Sequence, residues 1–420
     1  MIYLPESDSE DELPPEWEER VTHEGKVYFA NNKSQVTQWS HPRTGKRKEV
    51  SSHLPYGWEK KESEGKTVYV DHRRGKTSFI DPRLAFASEV KDSNASFYEN
   101  FRQRFDASTS AMQILHGADL SGMIFIVTGG NSGIGYETVK TFLHYGGTVI
   151  LACRDIRRGE EAISKLKSTE GTADDSRIIA LECDLSSLES TDAFVLKFKS
   201  LFDKLDVLVL NAGVFGLSYY LTVDGFEQTF QINFLSHLYL AYALRRSLIR
   251  ASSPKIVIVS SESHRFASLA SIRPSSWDAI TFSSPFSKDH FSFDSYNNSK
   301  FLLVVLGLEM DRRWRSMGIR TLLVHPGNCI SSSLSRHWFL YKLLFTFVRP
   351  FSKSLQQAAA STIFASVSNE MKGIGGIYIN NCFPCPPNES AVSSDAGWAA
   401  WQIAFEMIES RIGEKKLSNL

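Results

Sequence analysis

Cysteine is scarce in this chain: five residues in 420, an odd number without the spacing of a disulfide framework. Net charge is missing too. The 47 Lys and Arg residues equal the 47 Asp and Glu residues, so no global field draws the protein to nucleic acid or to an anionic membrane. The N-terminus has neither the basic n-region nor the apolar h-region of a secretory signal, and no apolar run reaches the ~20 residues that span a bilayer. The longest such run, Trp338 to Phe351, is broken by Lys342, Arg349 and Pro350. It reads as a buried or lid helix, the alternative being a surface that docks a lipid. Cys382-Phe383-Pro384-Cys385 has the spacing of a redox or zinc pair, but no second pair of Cys or His lies in register, so it reads as structural and no metal is expected. These absences point to a reducing intracellular compartment, with no transmembrane segment and no direct nucleic-acid partner.

Hydrophobic residues make up 42% of the chain, enough for one large α/β core with small satellites. Charge is local: acidic from Glu6 to Glu12, basic at Lys46, Arg47 and Lys48. That basic knot is a weak nuclear-import signal, because short basic clusters are usually solvated surface. An internal repeat occupies Leu13 to Pro42 and Leu54 to Pro82. Each copy begins Leu-Pro-x-x-Trp, passes through Gly-Lys and alternating aromatic or β-branched residues, and closes on Pro. Alternating runs such as Lys26 to Ala30 and Gln35 to Trp39, parted by the turn Asn31 to Ser34, predict three-stranded antiparallel sheets. Trp17 against Pro42, and Trp58 against Pro82, are the expected buckles.

Both repeats resemble the WW family, with Trp17, Tyr28, Phe29, Trp39 and Pro42 at its signature positions. The resemblance implies that Tyr28 and Trp39 form parallel aromatic walls for the proline rings of an extended peptide, which is already ordered and so binds at little entropic cost. A pocket for the tyrosine of a Pro-Pro-x-Tyr ligand would come from Ala30, Asn32 and Gln35. The family usually has His where this chain has Asn32, so altered selectivity is expected. Val68 and Phe79 replace the walls in the second repeat, which is expected to support the first and to bind Pro-rich peptide poorly alone. A phosphate on Tyr28 would add charge at the groove wall and change ligand choice; Ser7 and Ser9 are further candidate phosphorylation sites.

Beyond a polar, aperiodic stretch from Ala85 to Asp106 and a short helix near Ser108 to Leu115, apolar strand runs alternate with helical stretches. The strands expected are Ile124 to Val127, Val149 to Ala152, Ile178 to Leu181, Val207 to Leu210, Ile256 to Val259, Thr321 to Val324 and Ile377 to Ile379. Such a pattern predicts a Rossmann-type, doubly wound parallel sheet covered on both faces. The domains follow as residues 13–44 and 54–84 for the repeats, 85–118 for a linker and 119–412 for the α/β domain.

Thr128-Gly129-Gly130-Asn131-Ser132-Gly133-Ile134-Gly135 follows a strand and opens a helix, the context in which a glycine string signals dinucleotide binding. Gly129 and Gly133 permit the tight turn and Gly135 the close helix packing, while free N–H groups at the helix start meet the diphosphate. These residues resemble the short-chain dehydrogenase/reductase family over roughly Asp119 to Ile412. The resemblance implies Asp184 near the adenine, Asn211 supporting the sheet, and Ser331 on the nicotinamide carboxamide beyond His325-Pro326-Gly327. No acid stands at the end of the second strand, where Arg154 follows Cys153, so NADP(H) is favoured over NAD(H), with Arg157 or Arg158 assisting and Asp155 opposing.

Tyr296 and Lys300 lie at i and i+4 of a helix and share a face. The ammonium would stabilise the charged phenol, whose ordinary pKa of ~10 makes it a poor base at neutral pH. By the same resemblance Ser261 would hydrogen-bond the substrate oxygen, and Asn233, in a helix beginning near Phe226, would hold the water linking Lys300 to solvent. Ser261 and Tyr296 are 35 positions apart, so the stretch from His264 to His290 is expected to form a loop beside the cleft. With Leu-Ala-Cys-Arg and Ser-Ser-x-Ser-His the chain looks closest to retinol-dehydrogenase-like members, which implies a small apolar alcohol or carbonyl substrate, such as a steroid or retinoid. Family members often form a homodimer through two long helices, here Phe226 to Arg250 and Tyr296 to Met317, unless an appended module blocks that surface. The combination of the two families further implies an adaptor for Pro-rich partners in growth control, apoptosis and Wnt-type signalling, moving among cytoplasm, nucleus and mitochondrion. Two readings stay open: an enzyme tethered by its WW modules, or a WW adaptor whose large domain binds cofactor only as a structural or redox-sensing element.

Overall fold

A computed structural model describes residues 13–22, 26–39, 41–42, 48–50, 54–55, 57–63, 66–89, 101–170, 177–277, 292–327 and 353–413. The chain divides into two compact units, Met1–Phe101 and Arg102–Leu420.

In the first unit β1 (Trp17–Val21), β2 (Val27–Asn31) and β3 (Val36–Gln38) form one antiparallel sheet, and β5 (Trp58–Ser63), β6 (Lys66–Asp71) and β7 (Lys76–Ser78) form a second. Alternation decides the faces. Arg20 opposes Tyr28, and Ala30 opposes Thr37, while Val27 and Phe29 point the other way into a small core. That core is not closed by the first repeat alone. Val50 completes it, and Leu84 and Ala87, from beyond the second repeat, pack against it. β4 (Lys48–Glu49) pairs antiparallel with β8 (Ser88–Glu89), clamping the two flanks together. The linker expected from Ala85 onward is therefore ordered at its start, because Ala87, with Leu84 just before it, supplies apolar surface that a small sheet lacks.

The second unit is an eight-stranded sheet in the order β11-β10-β9-β12-β13-β14-β15-β16. Its strands are β9 (Ile124–Thr128), β10 (Thr148–Cys153), β11 (Ile178–Glu182), β12 (Val207–Leu210), β13 (Lys255–Val259), β14 (Arg320–His325), β15 (Ile377–Asn380) and β16 (Phe383–Cys385). The first seven run parallel, as expected. The eighth, which the strand pattern did not indicate, is added antiparallel at the edge. Asn381 and Cys382 both have positive φ, 53° and 58°, which makes a two-residue hairpin that turns the chain back on itself. The Cys-x-x-Cys spacing is thus that of a hairpin, and burial pushes the Cys382 thiol up to about 12 and that of Cys385 up to about 11.

Helices cover both faces. On one lie α1 (Ala111–Ile114), α2 (Gly133–His144), α3 (Ile156–Glu170) and α7 (Leu355–Val367); on the other α4 (Leu188–Leu201), α5 (Ser236–Ile249) and α6 (Ser292–Trp314), with α8 (Ser394–Ile412) outermost. Ser110 and Gln113 close a capping box on α1. The later part of the expected linker belongs to this unit, since Phe105 packs edge-on to Phe364 of α7, 6.0 Å between centroids. The helix expected from near Phe226 starts at Gln228 and passes through a π segment, Gln231–Leu235, before α5. Of the stretch expected to be a loop, Glu262–Phe266, Ser268–Ser271 and Pro274–Ser276 are instead 3-10 turns anchored by buried Leu269 and Trp277. Residues 278–291, the Trp338 to Phe351 run, the acidic start with Ser7 and Ser9, and Lys46, Arg47 and Ser331 fall outside the described residues.

Candidate active site and peptide-recognition face

The strand order reverses between β9 and β12, which opens a crevice at their C-terminal ends. The glycine loop lies there. Gly129 and Gly133 have φ of 66° and 59°, and a Cβ on Gly135 would sit 2.4 Å from the Gly129 carbonyl oxygen. Ser132 caps α2 with no side-chain hydrogen bond, so the first amides of this 12-residue helix, at Gly133 and Ile134, are not spent on a side-chain cap. Gly130 packs its bare Cα against Val139 and Leu151, and Asn131 completes the turn. A tight glycine turn ending in uncapped amides fits a dinucleotide diphosphate.

At the end of β10 Arg154 is exposed, while Asp155 is ion-paired at 3.7 Å to Arg157 and 3.8 Å to Arg158. The acid that opposed NADP(H) in the sequence is therefore partly neutralised. Asp184 accepts hydrogen bonds from the Ser186 amide at 2.9 Å and hydroxyl at 2.7 Å, so one of its oxygens holds its own turn. Asn211 donates its amide side chain to the Thr128 carbonyl at 2.8 Å and its main-chain N–H to the Thr128 hydroxyl at 2.9 Å, clamping the root of the glycine loop.

Tyr296 sits on α6 and is 8% exposed. The Phe215 ring meets it edge-on at 4.8 Å, and Phe293 meets Phe215 at 4.9 Å. Lys300 lies one turn along the same helix, its Nζ 5.6 Å from the Tyr296 ring centroid and donating to the Val259 carbonyl at 3.0 Å. Burial lowers Lys300 to about 8. Ser261 lies two residues past the end of β13 and caps the following 3-10 turn; its hydroxyl accepts from the Ser263 amide at 3.2 Å, and its carbonyl accepts from His264 Nδ1 at 2.7 Å. Asn233 lies in the π segment, a distortion that frequently marks a functional position. Its Oδ1 accepts from the Val214 N–H at 2.8 Å, and its Nδ2 donates to the Val214 carbonyl and the Ser299 hydroxyl, both at 3.0 Å. A Cβ on Gly213 would lie 3.4 Å from Asn233 Oδ1 and 3.6 Å from Lys300 Nζ, so these two groups face a common point kept open by glycine.

Sequence reasoning missed Phe215, Phe293 and His237. Only His237, one helical turn beyond Asn233, offered a signal, and a buried histidine has many bland explanations.

On the first repeat Tyr28 and Trp39 are neighbours, with ring centroids 6.0 Å apart, but the rings are inclined at 66°. This corrects the expectation of parallel walls: an edge-on arrangement suits two quadrupoles at that distance. Trp39 is 52% exposed and available. Ala30 is only 5% exposed and serves as floor, not as a pocket wall. Asn32 accepts from Arg20 at 3.4 Å, and Gln35, with φ of 57°, donates to the Asn32 carbonyl at 2.7 Å, so both rim residues are tied to the turn. Lys48 donates to Glu19 at 2.8 Å, so this member of the basic knot is engaged in a half-buried pair. In the second repeat Val68 opposes Lys61 as Tyr28 opposes Arg20, and Phe79 is 74% exposed.

Fold and constellation together define a short-chain dehydrogenase/reductase carrying WW modules. The short chain dehydrogenase model matches residues 123–272, and the WW domain model matches residues 13–42. The chain belongs to the WW domain-containing oxidoreductase family: the member from Drosophila melanogaster is 43% identical over 418 residues, covering 99% of this chain and 100% of that one. Retinol dehydrogenase 12 of Mus musculus is 29% identical over 294 residues, 69% of this chain and 87% of its own. A crystal structure of an uncharacterized Mycobacterium paratuberculosis protein, 24% identical, superimposes with a TM-score of 0.54 over 73% of this chain and 97% of its own, a likeness of fold. Among the described residues no helix is long and apolar enough to cross a membrane, and no group of three or more His, Cys, Asp or Glu side chains is placed to hold a metal.

Proposed function

We propose that the large unit is an NADP(H)-dependent oxidoreductase for a small apolar alcohol or carbonyl compound, brought to Pro-Pro-x-Tyr partners by the first WW module. The observation that carries this reading is the Tyr296 ring set against Phe215, itself backed by Phe293, with Lys300 one turn away: an acid–base pair beside an aromatic wall. The cofactor supplies or accepts hydride. Tyr296 gives its phenolic proton to the carbonyl oxygen in reduction, or takes the hydroxyl proton in oxidation. Ser261 holds that oxygen. Lys300 stabilises the phenolate, and a water between its ammonium and Asn233 Oδ1, in the space under Gly213, returns the proton from solvent. Arg154, with Arg157 and Arg158, binds the 2′-phosphate.

A retinoid or steroid suits the Phe-lined side of Tyr296, and the kinship to a protein named retinol dehydrogenase supports that class. The roles proposed in apoptosis, growth control and Wnt-type signalling, and residence in cytoplasm, nucleus and mitochondrion, rest on the resemblance alone. A monomer is proposed in place of a homodimer. α8 lies over the two helices otherwise used for pairing, through Trp401 against Trp314, Phe405 against Tyr242, and Arg313 over Trp401.

The test is NADPH consumption by the full chain with retinal and a steroid ketone, Tyr296→Phe as control, alongside calorimetry with a Pro-Pro-x-Tyr peptide. Turnover lost in the variant, with peptide binding kept, supports the reading. Identical background rates in both proteins would favour the adaptor reading.

A further inference from the structure

One imidazole lies at the meeting point of the cofactor loop and the candidate catalytic residues, and the mechanism above does not use it. His237 is completely buried in the first turn of α5. Its Nδ1 is 3.0 Å from the Asn233 carbonyl oxygen and its Nε2 is 3.2 Å from the Thr128 hydroxyl. These partners fix its proton. A carbonyl only accepts, so Nδ1 carries the hydrogen; in a neutral ring Nε2 then only accepts, and the Thr128 hydroxyl donates to it at 3.2 Å in preference to its other acceptor, the Val209 carbonyl at 3.4 Å. A doubly protonated ring does not fit, because Thr128 Oγ1 already accepts from the N–H groups of Asn211 at 2.9 Å and Ala212 at 3.0 Å. Burial agrees, pushing His237 down to about 3.

The two bonds join separate parts of the site. Thr128 is the last residue of β9 and the root of the glycine loop. Asn233 donates from its side chain to Ser299 Oγ, and Ser299 Oγ donates to the Tyr296 carbonyl at 2.7 Å. Two runs of hydrogen bonds, joined through the body of Asn233, therefore link the cofactor loop by way of His237 to the main chain of Tyr296.

We propose that His237 is a positioning residue, anchoring the cofactor loop with its Nε2 face and the Asn233 relay with its Nδ1 face. The proposal rests on the oxidoreductase reading. Its two faces can be removed one at a time. In His237→Asn the amide nitrogen replaces Nδ1 and keeps the bond to Asn233, losing Thr128; in His237→Gln the amide oxygen replaces Nε2 and keeps Thr128, losing Asn233.

The experiment measures NADPH affinity by calorimetry, kcat, and thermal stability for the full chain and both variants. His237→Asn should lose chiefly NADPH affinity, by about five- to tenfold, and His237→Gln chiefly kcat by a similar factor, as expected for one hydrogen bond each. Equal losses of both quantities in both variants, in step with stability, would show a merely structural histidine and overturn the proposal. Thr128→Val leaves the imidazole in place and covers the case in which a His237 variant does not fold. It should repeat the His237→Asn pattern, and equal losses of affinity and kcat there overturn the proposal too. If the wild-type chain binds NADPH but turns nothing over, the oxidoreductase reading fails by itself. The affinity comparison then decides alone whether His237 holds the loop.

Discussion

Replacing Lys300 by Met should stabilise the protein at neutral pH while abolishing turnover. Lys300 is 4% exposed, and burial alone lowers it from the ordinary 10.5 to about 8. At ~1.4 kcal/mol per tenfold change in proton affinity, the charged form in the folded protein is disfavoured by about 3 kcal/mol. Methionine has a similar stem and no charge. Its cost is the lost bond to the Val259 carbonyl, about 1 to 2 kcal/mol. A net gain of about 1 to 2 kcal/mol at pH 7 follows. The sign of its pH dependence also follows. Between the folded value of about 8 and the unfolded 10.5 the unfolded chain binds more protons, so the wild type gains stability as pH rises through that window. The advantage of Lys300→Met should be full below about pH 8, vanish at about pH 9 to 9.5 and reverse by pH 10.5, where only the lost hydrogen bond remains. Denaturant unfolding of both proteins at pH 7 and pH 10, followed by fluorescence, measures the difference. A variant less stable than wild type by the same amount at both pH values would refute the reasoning, since it would mean that the ammonium is solvated or paired in the native state. The expected outcome is a stability–activity trade-off, in which a strained charge is kept for its chemistry.

Arg154→Ser should cut the preference for NADPH over NADH by about tenfold, read as the ratio of the two dissociation constants, because one charge-assisted contact to the 2′-phosphate is removed. Leu84→Ala, outside the first groove, should weaken Pro-rich peptide binding by the first repeat and lower its stability by about 1 to 2 kcal/mol, as expected for a partly buried leucine in a small core. Unchanged peptide affinity in calorimetry would show that the first repeat closes its core without that residue. Gly213→Ala adds a methyl group at ordinary contact distance from Asn233 and Lys300, so folding should survive while kcat falls by about tenfold or more through loss of the bridging water. Light scattering of the full chain should give the mass of a monomer; a dimer would show that α8 does not occlude α5 and α6.

Much of the fold was legible because apolar runs of Val, Ile and Leu have one stable arrangement when they alternate with helices. Where the reading failed, the cause was a distant partner. The segment from Ala85 to Asp106 looks like a linker, yet Ala87 packs on the core of the first repeat and Phe105 on Phe364. The return strand Phe383–Cys385 was hidden because its two-residue turn sets Cys382 as well as Asn381 at positive φ, and only the asparagine is an ordinary turn residue. In the candidate site the glycine loop, Tyr296 and Lys300 could be found from spacing. The 66° inclination of Tyr28 and Trp39 could not, since an interplanar angle depends on packing.

By itself the sequence determined which chemistry is present: repeats with aromatic pairs, a glycine loop between strand and helix, and a tyrosine and lysine one turn apart. Spacing within an element is set by backbone geometry, so such groups are fixed before tertiary contacts form. Only the tertiary structure decided how the groups are tuned and joined. It buried Lys300 and lowered its proton affinity, fixed the tautomer of His237 through Thr128 and Asn233, and lent the first repeat a core from beyond the second. Desolvation and hydrogen-bond direction depend on atoms far apart in the chain, and no local pattern encodes them.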